Sequence, residues 1–178
     1  MLPQSRYNDG VSFEVRQFRN ADFETLWRID QACFDPQLAY SRPELAFYMG
    51  RPSAFTLVAE SNEKSGHSGR DGGRGSSNAS AILGFIVAEK RRQTGHIITI
   101  DVVEEARRFG VGSSLLAAAE ARLRQSGALA VALETAVNND AAIRFYMQKG
   151  YFVERTARGY YSNGLDALVM GKTFVGTR

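Results

Sequence analysis

A β-rich run, Ile97-Ile98-Thr99-Ile100-Asp101-Val102, gives way eight residues later to Gly110-Val111-Gly112, and apolar residues then recur at helical spacing at Val111, Leu115, Leu116 and Ala119. Strand, glycine turn and helix start in that order commit the stretch to an α/β arrangement. They also aim several backbone N–H groups at one point, with the positive end of a helix dipole behind them, which makes an anion site. Arg107 and Arg108 lie immediately upstream, where charge-assisted hydrogen bonds reach a phosphate. An isolated G-x-G is also compatible with a mere tight connection. Two other phosphate motifs fail on the letters: no Lys follows either glycine as a P-loop requires, and Leu115 stands where a dinucleotide fingerprint needs its third glycine.

The flanking patterns extend the α/β reading along the chain. Alternation predicts strands over 13–18, 55–60, 82–88, 96–102, 129–134, 151–158 and 165–174. Helical spacing predicts helices over 21–34, 110–125 and 139–149, the last two stopped by Gly127 and Gly150, and Ser41-Arg42-Pro43-Glu44 reads as a capping box opening a short helix to Met49. The order is strand, two helices, three strands, helix, strand, helix, two strands. That is an α/β protein with a mixed sheet of about seven strands and helices on both faces. Residues 61–80 are rich in Gly and Ser and nearly devoid of apolar side chains, so they read as a long flexible hairpin loop within one domain spanning 1–178.

Composition excludes several classes. A single cysteine, Cys33, forbids an intramolecular disulfide and a multi-thiolate zinc site, and two histidines make a His-rich site improbable, so no metal is expected. The lack of an apolar signal region or membrane span points to a soluble, cytoplasmic protein. A net charge of +3 is mild and interleaved; it suits an anionic ligand without indicating nucleic acid.

A second informative stretch runs from Leu133 to Tyr151. Asn139, Ile143, Tyr146 and Gly150 follow one another on one helix face, and Glu134 ends the preceding strand. A carboxylate at a strand end beside a helix-borne phenol is placed for acid and base work in a crevice. Taken singly, Asn139 also reads as a helix-start residue and Tyr146 as a core aromatic. Cys33, in an apolar helical stretch, reads as a core thiol rather than an acyl carrier.

Arg107-x-x-Gly110-x-Gly112 resembles the Q/R-x-x-G-x-G/A signature of the GNAT superfamily of acetyl-CoA-dependent N-acetyltransferases. The resemblance implies that acetyl-CoA serves as cosubstrate, with its pyrophosphate on the turn Arg107, Arg108, Phe109, Gly110, Val111, Gly112 and Ser113. It further implies that the pantetheine arm pairs with the exposed backbone of Ile100, Asp101 and Val102, on a strand splayed from its neighbour at a bulge. The spacing from Leu133-Glu134 through Asn139 and Tyr146 to Gly150-Tyr151 resembles RimI-type ribosomal-protein N-terminal acetyltransferases and their archaeal and eukaryotic relatives. Carried over, Glu134 is the base, Asn139 contacts the cofactor, and Tyr146 protonates the departing thiolate. Direct attack in a ternary complex needs these groups because an α-amine titrates near 8 and a thiol near about 8.5. A backbone N–H near Val102 would stabilise the carbonyl oxygen.

The same resemblance assigns substrate contacts. Tyr160 and Tyr161 belong to a hairpin that closes over the incoming peptide, Phe34 and Tyr40 to the opposite wall, and His96 is a further candidate for substrate contact or proton relay. The wall at 34–40 departs from the RimI pattern, since Tyr40-Ser41 lacks the tryptophan found there. The acceptor implied is a protein or peptide N-terminus, ribosomal proteins among them, with the enzyme a monomer or homodimer. A GNAT acting on a small amine or a lysine side chain is the alternative within enzymes, and a non-catalytic acyl-CoA-binding module is the alternative outside them.

Overall fold

The computed structural model describes residues 12–62 and 81–174. The expected hairpin loop at 61–80 falls almost wholly outside them. The elements run β1 (Phe13–Gln17), α1 (Phe23–Cys33), α2 (Arg42–Met49), β2 (Ala54–Ser61), β3 (Ile82–Arg91), β4 (Thr94–Val102), α3 (Val111–Gln125), β5 (Ala130–Ala136), α4 (Asp140–Gln148), β6 (Phe152–Ala157) and β7 (Ala167–Thr173). This is the order read from the sequence. The capping box forms as written, with the Ser41 backbone N–H 2.8 Å from Glu44 Oε2. A 3-10 turn at Asn20–Asp22 replaces the expected first turn of α1, because the Asp22 carboxylate accepts from the Arg19 backbone N–H at 2.7 Å. β5 runs two residues beyond its expected end, because Thr135 and Ala136 pair with Leu168 and Ala167 of β7.

Seven strands form one sheet in the order β1-β2-β3-β4-β5-β7-β6. All neighbours are antiparallel except β4 and β5. Alternation along β2 and β3 splits the core in two: Leu57, Ala59, Ile86 and Ala88 pack under Val111, Leu115, Leu116 and Leu123 of α3. Val58, Phe85 and Val87 pack on the opposite face against Leu26 and Ile29 of α1 and Leu45 of α2. Each face thus buries the apolar stripe of its own helices, which neither strand pattern nor helix pattern satisfies alone. No helix among the described residues is long and apolar enough to cross a membrane.

The parallel pair β4 and β5 creates the opening that matters. Their register runs only from Thr94↔Ala130 to Ile97↔Leu133. At that point β4 carries a bulge, since Val87 and Ala88 of β3 oppose Thr99 and Ile97 and leave Ile98 extra. A bulge bends its strand and strengthens the local twist. β4 beyond it stays with β3 while β5 stays with β7, so the two strands part as a wedge. On the far side of β4, Gly84 faces Val102 so closely that a Cβ would overlap the Asp101 carbonyl. Glycine there lets β3 follow the bent strand.

Candidate active site

The floor of the wedge is backbone. The Val103 N–H donates to Leu83 on β3 at 3.0 Å. Peptide groups alternate direction along a strand, so the N–H groups of Ile100 and Val102 point the other way, into the wedge. The Val102 carbonyl is already taken by the Cys33 thiol at 3.4 Å and by Arg107 Nε at 3.1 Å.

At the open end stands the glycine turn. Arg108 and Gly110 both have left-handed backbone, with φ of 69° and 85°, and alternate with Phe109 and Val111. Such alternation points consecutive N–H groups inward as an anion-binding concavity. Among the described residues the N–H groups of 108–113 find no acceptor, and the first one satisfied is that of Ser114, on Gly110. The Arg108 conformation is uncommon for a residue with a side chain, and such strain gathers at ligand sites. A Cβ on Gly112 would rest 3.6 Å from Val102 Cγ2 and Phe145 Cζ, an ordinary contact, so the protein's own packing does not require glycine there. These features fit a pyrophosphate. The Arg107 side chain is turned back onto the end of β4, where it meets the Val102 carbonyl and the Cys33 sulfur.

Facing the turn, α4 begins at Asn139, whose side chain accepts from the Ala142 N–H at 3.1 Å as a helix cap. Tyr146 is 6% exposed. Burial first, then the Asp101 and Tyr161 side chains, push its phenol above the ordinary range. The ring is packed edge-on against Phe145 and tilted on Tyr151, while its hydroxyl has no hydrogen-bond partner among the described residues. A phenol so held stays protonated and free to donate. Cys33 is a half-buried thiol pushed up by burial and by Asp101, an environment that keeps it protonated and unreactive.

On the other side of the sheet, β5 presents Glu134 at the point where it leaves β4. Glu134 Oε2 lies 2.7 Å from His96 Nε2. Burial raises the carboxyl, but the hydrogen bond and charge of His96, with Tyr160 and Arg155, outweigh it and hold it below the usual carboxylate value. The Tyr160 phenol, against the same carboxylate, is pushed up to about 12 by burial and by Glu134. His96, a candidate for substrate contact or proton relay, is the third residue of β4 and the direct partner of Glu134.

The Tyr160–Tyr161 hairpin meets the segment between α1 and α2 across this face. Asn163 Nδ2 donates to Gln37 Oε1 at 3.3 Å, and burial with neighbouring Tyr48 and Tyr160 raises the Tyr40 phenol. Tyr40, Tyr160 and Tyr161 are therefore gathered into one aromatic mouth-like cluster next to Glu134, while Phe34 is the residue that ends α1. Sequence reasoning missed what holds Tyr40 in place: its backbone N–H donates to Asp30 Oδ2 at 2.9 Å, and its carbonyl accepts from Gln31 at 2.8 Å and Trp27 at 3.3 Å. Asp30 sits at a helix position with no signal to mark it as buried.

Asp30 is wholly buried, and one of its oxygens has no partner among the described residues. Burial pushes its carboxyl up to about 6 against the pull of Tyr40 and Gln31. The unfolded chain releases this proton near pH 4 and the folded chain near 6, so stability falls as pH rises between them and stays reduced above. Asp30→Asn keeps an oxygen for the Tyr40 N–H. It is expected to raise stability by about 1–2 kcal/mol at pH 7 and to give no gain at pH 4, as melting curves at the two pH values will read.

Among the described residues no group of three or more His, Cys, Asp or Glu side chains is placed to hold a metal ion. A parted parallel strand pair, a turn of inward-pointing N–H groups at its open end and a carboxylate–imidazole pair beside it can seat a phosphate-bearing carrier next to a proton acceptor. The model of the acetyltransferase (GNAT) family matches residues 23–151, and the chain belongs to that family. It is an N-acetyltransferase. An uncharacterized N-acetyltransferase of Methanocaldococcus jannaschii is 29% identical over 159 residues, covering 89% of this chain and 90% of the relative. An N-alpha-acetyltransferase of Sulfurisphaera tokodaii is 38% identical over 77 residues, 43% of this chain and 46% of that one, so this match spans about half of the relative. The structure of Ard1 from Thermoplasma volcanium has the same fold, with a TM-score of 0.75 and 27% identity over 93% of this chain and 100% of that chain.

Proposed function

We propose that this enzyme uses acetyl-CoA to acetylate the α-amine of a peptide or protein N-terminus. The observation that carries the reading is the Glu134–His96 pair, 2.7 Å apart, beneath the aromatic mouth of Tyr40, Tyr160 and Tyr161. Similarity to an archaeal N-alpha-acetyltransferase supports the same acceptor class.

The glycine turn and the first turn of α3 would hold the pyrophosphate through the N–H groups of 108–113, and the Ile100 backbone would pair with the pantetheine arm. Acetyl-CoA supplies the thioester carbonyl on which the amine acts. An α-amine is largely protonated at pH 7, so it must lose a proton first. Glu134, kept ionised by His96, accepts that proton directly or through one water. The Val102 N–H, pointing into the wedge, meets the carbonyl oxygen. Tyr146 donates its free O–H to the departing sulfur and is re-protonated from solvent on product release. Tyr160 and Tyr161 bracket the first residues of the acceptor, and the hairpin bond from Asn163 to Gln37 closes the mouth over them.

Thiol release from acetyl-CoA, measured across peptides with free and blocked N-termini, polyamines and aminoglycosides, tests this. Free N-termini are expected to support turnover at least about 10²-fold above their blocked counterparts, which lack the nucleophile. Equal rates with polyamines or aminoglycosides, and none with peptides, would move the enzyme to small-amine chemistry.

A further inference from the structure

Three neighbouring strands carry a row of polar side chains of which the chemistry above uses only two. Glu89 of β3 is the cross-strand partner of His96 on β4, and His96 Nε2 in turn meets Glu134 of β5. Glu89 is 2% exposed. Its Oε1 accepts from Arg51 Nη1 at 3.0 Å and from Arg91 Nε at 2.6 Å, and Ser53 Oγ lies 3.4 Å from Oε2. A position that only filled space would take an apolar residue, because a buried carboxylate must be neutralised to persist. The other ring nitrogen of His96 shows what this one faces. Nδ1 is buried, has no hydrogen-bond partner among the described residues, and lies 3.7 Å from Glu89 Oε1. That distance is too long for a hydrogen bond but short for a charge in a dry setting.

We propose that Glu89 is a positioning residue for His96: its charge keeps a proton on Nδ1 and screens the ring from Arg51 and Arg91, so that Nε2 and Glu134 together take up the proton leaving the acceptor amine. The proposal rests on the reading of Glu134 as the base. In the step, the amine N–H bond breaks and an O–H bond forms on Glu134, while one further proton stays shared between Glu134 and Nε2. The pair gains one positive charge, Glu89 offsets it, and the proton passes to solvent after the product leaves. The groups that bear on the ring are Glu89 and Arg91 from β3, Arg51 from the turn before β2, and Glu134 from β5. Tyr160 of the hairpin and Arg155 of β6 act on it through Glu134. Without Glu89 the carboxylate that faces Nδ1 is gone while its partners Arg51 and Arg91 remain, and the pair becomes a weaker base.

Glu89→Gln is the test. Its kcat is expected to fall about 10-fold with KM for acetyl-CoA unchanged, and the acid limb of kcat to move to lower pH by about one unit, as a weaker base dictates. Glu89→Asp should recover most of the rate. His67 is the only other histidine, so in a His67→Gln background ¹⁵N spectra report His96 alone. There, Glu89→Gln should lower the fraction of ring protonated at Nδ1 at pH 7. A folded Glu89→Gln enzyme with a wild-type histidine spectrum, or with an unmoved acid limb, overturns the proposal. A wild-type enzyme that acetylates no α-amine would instead overturn the acceptor assignment, and the histidine spectrum would still decide the role of Glu89. If the single variant melts below assay temperature, Arg51→Gln/Glu89→Gln removes a stranded cation and carries the same readouts.

Discussion

Gly112→Val is expected to weaken CoA binding more than about 100-fold while leaving the fold in place. The two halves of that expectation have separate physical grounds. A Cβ at Gly112 meets only ordinary contacts with Val102 and Phe145, so the apo protein tolerates it. The branched methyls would project beside the N–H groups of 108–113, which have no acceptor among the described residues and need an anion pressed against the backbone. Losing a pyrophosphate held by several charge-assisted hydrogen bonds removes a few kcal/mol, and about 1.4 kcal/mol is tenfold in affinity. Calorimetric titration with CoA beside a melting curve separates the effects. Unchanged affinity in a folded variant would place the cofactor elsewhere.

Glu134→Gln is expected to lower turnover about 10²-fold or more at pH 6–7, with the deficit narrowing above pH 8. The sign follows from the amine: below its pKa the acceptor is mostly ammonium and depends on a base, while above it free amine accumulates without help. His96 holds the Glu134 carboxyl below its usual value, so between about pH 6 and 8 the deficit follows the amine, and protonation of the base shows only in the acid limb at lower pH. Because the two side chains share one 2.7 Å contact, His96→Gln added to Glu134→Gln should cost little more than Glu134→Gln alone. Additive losses in pH-rate profiles would show that the two act in different steps.

The parts of the site that lie within one strand-turn-helix unit were legible in the sequence, because local chemistry specifies them. Gly110 adopts the left-handed backbone that a glycine before a helix signals, and Asn139 caps α4 as its place before an apolar-periodic run implies. Tyr146 and Gly150 follow on that helix by spacing alone. What crosses strands was not legible. Whether His96 meets Glu134 depends on a register of four residue pairs between β4 and β5 and on an extra residue at Ile98, neither of which leaves a mark in either segment. Glu89 falls just past the expected strand end at 88, so nothing in the sequence marks it as a buried partner of Arg51 from a distant turn. Arg107 shows the converse: its place before the turn suggests a phosphate ligand, while its guanidinium binds Val102, five residues back.

The central claim is that the acceptor is an α-amine. It is tested most directly by incubating the enzyme and acetyl-CoA with a peptide that carries one free N-terminus and one internal lysine, then locating the new acetyl group by mass spectrometry. An α-amine near pKa 8 sheds its proton far more readily at neutral pH than a lysine near about 10.4, which suits a carboxylate base as weak as Glu134. The account predicts acetylation at the N-terminus with the lysine left essentially free. Dominant acetylation of the lysine would contradict it.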